Sequence, residues 1–373
     1  MISLQYRETD YNTELSGSFS SDDAFFNQLW QKSQRTLYIT MRDNFMDCPD
    51  RERAQWWGDA TNEMNMMMYA LDTNSYSLYK KGINTLIGWT KSDKVLPSVV
   101  PSHNFSNELP MQMLAGINGF WQYYLYTGKK DQLLKVYYSA KEYLSLWSIG
   151  ANGLVTVVKQ IAEVLGKTED IQGYDIKLSS IKVAFNSFWT NTGYRSSQVS
   201  VPDDRANAIA VLSNLADKNK YPIIRNVMVT IKNSSPYMEK YVLDSLCQMG
   251  SMREAQDRIK DRYADMVTGP QAYSTLWEFW VKNNGTKNHA WPGGALVTMS
   301  KYMAGVAPIT HGYDTYQVKP DMGCLNEINT VVPSIKGDII IDIKRNLISR
   351  NFKLILTSPK KNICNCCNSS FYK

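Results

Sequence analysis

Histidine is scarce in this 373-residue chain: His103, His289 and His311 are the only three, and they lie far apart. That excludes a histidine-rich metal site. Long apolar runs are also missing. No stretch approaches the ~18 consecutive apolar residues of a membrane-spanning helix, so no membrane insertion is expected. The opening segment MISLQYRETDYNTELSGSF is polar and acidic, without the basic start and apolar core of a signal peptide. As written, the chain reads as cytoplasmic. Net charge is absent from most of its length. Of the total of +6, all is supplied after Val331, where eight Lys/Arg face two Asp/Glu; residues 1–330 balance to zero. A neutral body has no electrostatic reason to bind a polyanion, so no nucleic-acid partner is expected.

Cysteine is sparse as well. Cys48, Cys247 and Cys324 are isolated, while Cys364, Cys366 and Cys367 crowd the last ten residues. CNCC lacks paired zinc-ligand spacing and a nearby histidine, so residues 361–373 read as an unstructured tail, with no metal and no cofactor expected. What the chain does have is the composition of an ordinary globular protein, 43% hydrophobic and 20% charged. Aromatics reach 12%, with 10 Trp and 23 Tyr. Flat rings with a polar edge suit both large interior faces and the C–H faces of sugars.

From about residue 20 to 305 the pattern is helical. Phe26, Leu29, Trp30, Ser33, Leu37 and Met41 recur at steps of three and four, with Ser20 or Ser21 as the expected N-cap. Similar stretches follow at about 57–72, 75–91, 108–127, 131–148, 154–167, 173–190, 203–217, 219–232, 236–249, 252–266 and 290–305. Short turns such as TGKKD and MGSM join them, making consecutive helices antiparallel neighbours. Twelve helices in six hairpins fit an (α/α)6 barrel; a helical solenoid is the alternative, but no fixed-period repeat supports it. After Gly305 the period changes to short β-branched runs (DTYQVKP, INTVVPS, GDIIIDIKRN, FKLILTSP), which read as four strands. The expected organisation is a remnant of a preceding β domain and linker over 1–19, the barrel over 20–308, a partial C-terminal β-sandwich over 309–360 and the tail.

Two clusters could carry chemistry. In Asp47-Cys48-Pro49-Asp50-Arg51-Glu52-Arg53-Ala54-Gln55-Trp56-Trp57-Gly58-Asp59-Ala60, four carboxylates and two arginines surround adjacent tryptophans. Pro49 disfavours helix at Cys48, so this is a loop leading into a helix. An acid-rich helix start would explain Asp47 and Asp50, but not the tryptophans. A carboxylate held against apolar rings is desolvated, which raises its pKa and suits a general acid. The second cluster, Ser274-Thr275-Leu276-Trp277-Glu278-Phe279-Trp280 followed by Asn288-His289-Ala290-Trp291-Pro292-Gly293-Gly294, sets Glu278 in aromatic surroundings, costly for an unpaired charge. A purely structural ion pair is the plain alternative there, and Asp203-Asp204-Arg205-Ala206-Asn207 reads most simply as a capped helix start. Two acids on distant segments are what glycoside hydrolysis requires, one protonating the leaving oxygen and the other acting as base or nucleophile.

At these residues the chain resembles the bacterial α-L-rhamnosidases of glycoside hydrolase family 78. DCPDRERAQWWGDA resembles the family's acid motif, STLWEFW with NHAWPGG its base motif, and DDRANAIAV, SPYMEKYVL and the MAGVAP segment also look like it. The resemblance spans about residues 5–358. It implies an (α/α)6 barrel, a rhamnose-containing oligosaccharide or glycoside as substrate, and an inverting mechanism with Glu52 as general acid and Glu278 as general base. Asp47, Arg51, Trp56, Trp57, Asp59, Trp277 and His289 are the expected sugar-contacting set. An inverting pair is expected to stand roughly 6.5–9.5 Å apart. Three departures from the family are visible. The β-sandwich domains that usually come before the barrel shrink to YRETDYNTELSGSF. Between Gly153-Leu154-Val155 and Lys159-Gln160-Ile161 a longer Trp- and Asp-rich, pocket-lining stretch is missing. The basic, Cys-rich end is unlike the family. These suggest a shortened gene product, and the second expectation is a catalytically impaired remnant that binds sugar weakly. Family members are often exported. A lyase on a similar barrel would need a Tyr/His/Arg grouping that three scattered histidines do not supply.

Overall fold

The computed structural model describes residues 10–102, 108–147, 152–346, 348, 351–359 and 363–366. Strand β1 (Ser18–Ser21) precedes eleven helices: α1 (Ala24–Ile39), α2 (Trp57–Ala70), α3 (Tyr76–Gly88), α4 (Pro110–Thr127), α5 (Lys130–Ser145), α6 (Asn152–Leu165), α7 (Thr168–Asn186), α8 (Asp204–Leu212), α9 (Tyr221–Thr230), α10 (Pro236–Gln248) and α11 (Met252–Val267). A small hairpin, β2 (Trp189–Thr190) and β3 (Gly193–Tyr194), sits between α7 and α8. The twelfth helical segment is mixed: a 3-10 turn from Trp291, α12 (Ala295–Thr298) and a π turn ending at Met303. Each expected helical stretch has its counterpart, and the architecture is the expected six-hairpin helical domain.

Alternation follows from burial. All fourteen residues of α2 are buried, whereas α7 buries only Tyr174 and Ile181 among nineteen. A helix apolar all round belongs inside, and one with a narrow stripe belongs outside. The even-numbered helices form the inner ring: α2 packs on α4, α4 on α6, α8 on α10, α10 on α12 and α12 on α2. The remaining seam lies between α6 and α8. Helix α1 buries Phe26, Leu29, Trp30, Ser33, Thr36 and Leu37. Its cap is neither Ser20 nor Ser21; the Asp23 carboxylate accepts the Phe25 N–H at 3.0 Å, because the serines belong to β1 and the chain turns only after them. Asp203 caps α8 by accepting the Arg205 N–H at 2.9 Å. Asp204, fully buried, pairs with Arg258 at 2.6 Å, as does Glu239, tying α8, α10 and α11 together beneath the site.

The C-terminal strands β4 (Val306–Pro308), β5 (Thr315–Val318), β6 (Glu327–Val332), β7 (Ile339–Asn346), β8 (Asn351–Thr357) and β9 (Ile363–Cys366) form two sheets. One has the order β1-β6-β7-β8, antiparallel throughout. Ser18–Ser21 is therefore an integral edge strand of the C-terminal sheet, pairing Ser18 with Val331 and Ser21 with Ile328. The other sheet, β4-β5-β9, corrects the expectation of an unstructured tail: Ile363–Cys366 pairs in parallel with Thr315–Val318. The unpaired edge of β5 offers a row of backbone donors and acceptors that even a polar, Cys-rich segment can satisfy. Among the described residues no helix is long and apolar enough to cross a membrane.

Candidate active site

The acid motif forms a loop that closes on itself before α2. Asp47 N–H donates to the Ala54 carbonyl at 3.0 Å, and the Asp47 carboxylate accepts the Ala54 N–H at 2.9 Å and the Cys48 thiol at 2.9 Å. Asp47 is buried. Burial pushes its carboxyl up, against the pull of the Cys48 and Ala54 hydrogen bonds and of His289. These hydrogen bonds fix the shape of the loop. Trp57 N–H donates to the Ser98 carbonyl at 2.9 Å and so starts α2. Gly58 admits the side chains of Gln112 and Tyr237; a Cβ there would lie 2.6 Å from the Tyr237 hydroxyl.

The base motif is a second loop, anchored to α1 where the Thr36 hydroxyl accepts the Leu276 N–H at 2.9 Å. Glu278 N–H donates to the Thr286 carbonyl at 3.1 Å, and Thr286 N–H returns to Glu278 Oε2 at 2.8 Å. The Thr286 hydroxyl lies 3.2 Å from the same oxygen and 3.1 Å from His289 Nδ1. Gly285 has φ +69°, and a Cβ there would fall 2.4 Å from Glu278 Oε2, so only glycine allows this return. His289 Nε2 is 3.0 Å from Asp59 Oδ1, and its ring stacks 4.1 Å from Trp291. Gln112 donates to the other Asp59 oxygen at 3.3 Å. Asp59, His289, Thr286 and Glu278 thus form one continuous buried polar chain. Thr286, Gly285 and Gln112 were missed in the sequence reading; the Gly-Thr step three residues before His289 was the available signal.

Arg51 joins the two loops. Its Nη2 contacts Glu278 Oε1 at 2.8 Å and Glu52 Oε1 at 3.1 Å. Because both contacts share one nitrogen, those oxygens stand at most about 6 Å apart, and the carboxyl carbons can be somewhat further, a bound that spans both retaining and inverting geometries. The two acids differ sharply in environment. Glu278 is 2% exposed. Burial pushes its carboxyl up, yet Arg51, the Thr286 N–H and His289 outweigh burial and hold it below the usual carboxylate range. Glu52 has a side chain 39% exposed, with Trp56 Nε1 donating to Oε2 at 2.6 Å. The desolvation expected of Glu52 is therefore not present: the tryptophan offers it a hydrogen bond rather than an enclosing wall.

Two expected sugar-contacting rings are corrected. Trp57 is 0% exposed, packed edge-on against Tyr79 and Phe120 at 5.7 and 5.9 Å. Trp277 is 1% exposed and meets Tyr273 edge-on at 6.1 Å. Both are core residues, Trp57 lying between α2, α3 and α4. Trp56, partly exposed, stays at the site; Arg51, Asp59 and His289 also gather there. His103 lies outside the described residues. Asp47, Cys48 and His289 bring oxygen, sulfur and nitrogen within 4.8 Å of one another, a possible donor set for a metal. Each is already engaged within the protein, the thiol with Asp47 and the imidazole with Asp59.

A cavity of about 470 Å³ lies within the barrel, and none of the site residues expected from the sequence lines it. Its lining includes Val157 and Gln160 of α6 and Ile209 and Leu212 of α8. Between Glu52 and Glu278 themselves stands the Arg51 guanidinium rather than this hollow.

Residues 14–153 match the bacterial alpha-L-rhamnosidase six-hairpin glycosidase domain. Among curated proteins, no sequence matches the chain. Its fold is that of the family 78 rhamnosidase of Bacillus sp. GL1 (TM-score 0.86, 20% identity), covering 97% of this chain and 44% of that one. The α-L-rhamnosidase of Dictyoglumus thermophilum gives 0.85 at 21% identity, with 95% and 45% covered. A Streptomyces avermitilis α-L-rhamnosidase, solved with L-rhamnose, gives 0.82 at 16%, with 95% and 39% covered. The chain therefore spans less than half the length of the solved relatives it matches. The chain has the six-hairpin helical fold of these proteins, and its residues 14–153 are similar to the bacterial alpha-L-rhamnosidase six-hairpin glycosidase domain.

Proposed function

We propose that the protein is an inverting glycoside hydrolase that releases terminal α-L-rhamnose from glycans or glycosides. One observation carries the reading: Glu52 and Glu278, on loops far apart in sequence, meet at a single guanidinium. Glu278 is the base. Its carboxylate is held ionised by Arg51, Thr286 and His289, so it can take a proton from water as that water attacks the anomeric carbon. Glu52 is the acid, on the mobile-solvent side of the pair, where a sugar seated over Trp56 would cover it and supply the missing desolvation. Arg51 must release one or both carboxylates as substrate enters, and its freed N–H groups then suit sugar hydroxyls.

On an alkyl α-L-rhamnoside, Glu278→Gln and Glu52→Gln should each lower turnover by about 10²–10⁴; full activity in either would end the assignment. Proton NMR of the first product separates the stereochemical classes: β-L-rhamnose appearing first supports inversion, α-L-rhamnose appearing first contradicts it. The second reading, an impaired sugar-binding remnant, is favoured by the short stretch between Val155 and Lys159, where the resembled family carries a longer pocket-lining segment. Calorimetric binding of rhamnose without any turnover by the unaltered chain would select it.

A further inference from the structure

The interior cavity contains a chemical feature that the hydrolase reading does not use. At 470 Å³ it has the size of a small-molecule site. Its wall holds Lys240, Asp244 and Lys301. Lys240 and Asp244 neutralise one another at 2.6 Å, one turn apart on α10, both nearly inaccessible. Lys301 is different. Among the described residues no carboxylate is paired with it; its contact is the Tyr302 ring, 4.9 Å from Nζ. It lies deep in the protein, where burial draws its ammonium down; the charge of Asp244 partly offsets this and that of Lys240 adds to it. Yet it keeps accessible surface, because it faces the hollow. A deep cation without a counterion is costly, and an anion beside it removes that cost. The rest of the lining suits a sugar-like body: Asn118, Gln122 and Gln160 offer amide donors and acceptors, and Trp121 a flat apolar face.

We propose that this cavity is a second ligand site, separate from the acid–base pair, for a small polyhydroxylated carboxylate such as a sugar acid, with Lys301 as the counterion of the carboxylate. Tyr237, which lines the cavity, meets Trp291 edge-on at 5.6 Å, and the Trp291 ring lies 4.1 Å from that of His289.

Calorimetry with D-glucuronate and D-glucose tests it. Glucuronate should bind saturably, at least about tenfold more tightly than glucose, as expected for one hydrogen bond to a charged group. Lys301→Met should lose that preference and Lys301→Arg should keep it, with unchanged melting curves showing that both are folded. Glu278→Gln should bind glucuronate as the unaltered chain does, whether or not the protein hydrolyses rhamnosides. Equal binding of acid and neutral sugar, undiminished binding by Lys301→Met, or loss of binding in Glu278→Gln, which would put the ligand at the acid–base pair, would each overturn the proposal.

Discussion

The two carboxylates at the centre of the site sit in opposite surroundings. Glu278 is sealed, with one oxygen on Arg51 and the other on Thr286, on a loop anchored to α1. Glu52 stands at the surface with an arginine and an indole N–H as partners. On the proposed assignment, pre-organisation lies on the base side, at Glu278, and the acid side, at Glu52, is left for a substrate to complete. A base must be ionised and aimed before water arrives; an acid need only be enclosed when the leaving oxygen is present.

The largest effects should separate the two roles by leaving group. With nitrophenol, which leaves readily without a proton, Glu52→Gln should lose less than Glu278→Gln; with an alkyl aglycone both should fall by the full factor of about 10²–10⁴. Equal losses on both substrates, measured as kcat/KM, would break the contrast between the two acids. The adjacent tryptophans make the same comparison in stability. Trp57→Ala removes a sealed core ring and should cost about 3–5 kcal/mol in chemical denaturation, whereas Trp56→Ala, at the surface, should cost under about 1 kcal/mol.

Smaller effects should appear in the pH profile. Glu278 is held below its ordinary value; if it is the base proposed, activity should be kept above its lowered value and fall as pH drops through it. Arg51→Met removes the main opposing influence on burial and should move the acidic limb upward by about one to three pH units. Thr286→Val keeps the backbone donor and loses only the hydroxyl, so the limb should move up by less. A limb that stays in place in Arg51→Met would show that another group sets it.

Much of this was legible because it is local. The spacing of Phe26, Leu29, Trp30, Ser33 and Leu37 marks a buried helix face whatever the rest of the chain does, and the abrupt loss of that spacing after Gly305 marks the sheets. The site motifs were legible by residue type. Three readings failed for one shared reason, that a side chain's direction or a strand's partner is set from far along the chain. Trp56 and Trp57 are indistinguishable in sequence, and the register in which α2 enters the barrel decides which one is buried. Ser18–Ser21 resembled the end of something else because its partner, β6, lies some three hundred residues later. Ile363–Cys366 resembled a tail because its partner is the free edge of β5.

By itself, then, the sequence determined the period of each element and the inventory of chemical groups, since both depend on neighbours within a turn or two of backbone. Tertiary structure alone decided that Arg51 spans two acids, that Glu278 is enclosed and Glu52 is not, and that Lys301 lines a hollow among the inner helices. Those are outcomes of ring closure, in which helices distant along the chain compete for the same interior volume, and no local pattern encodes who wins.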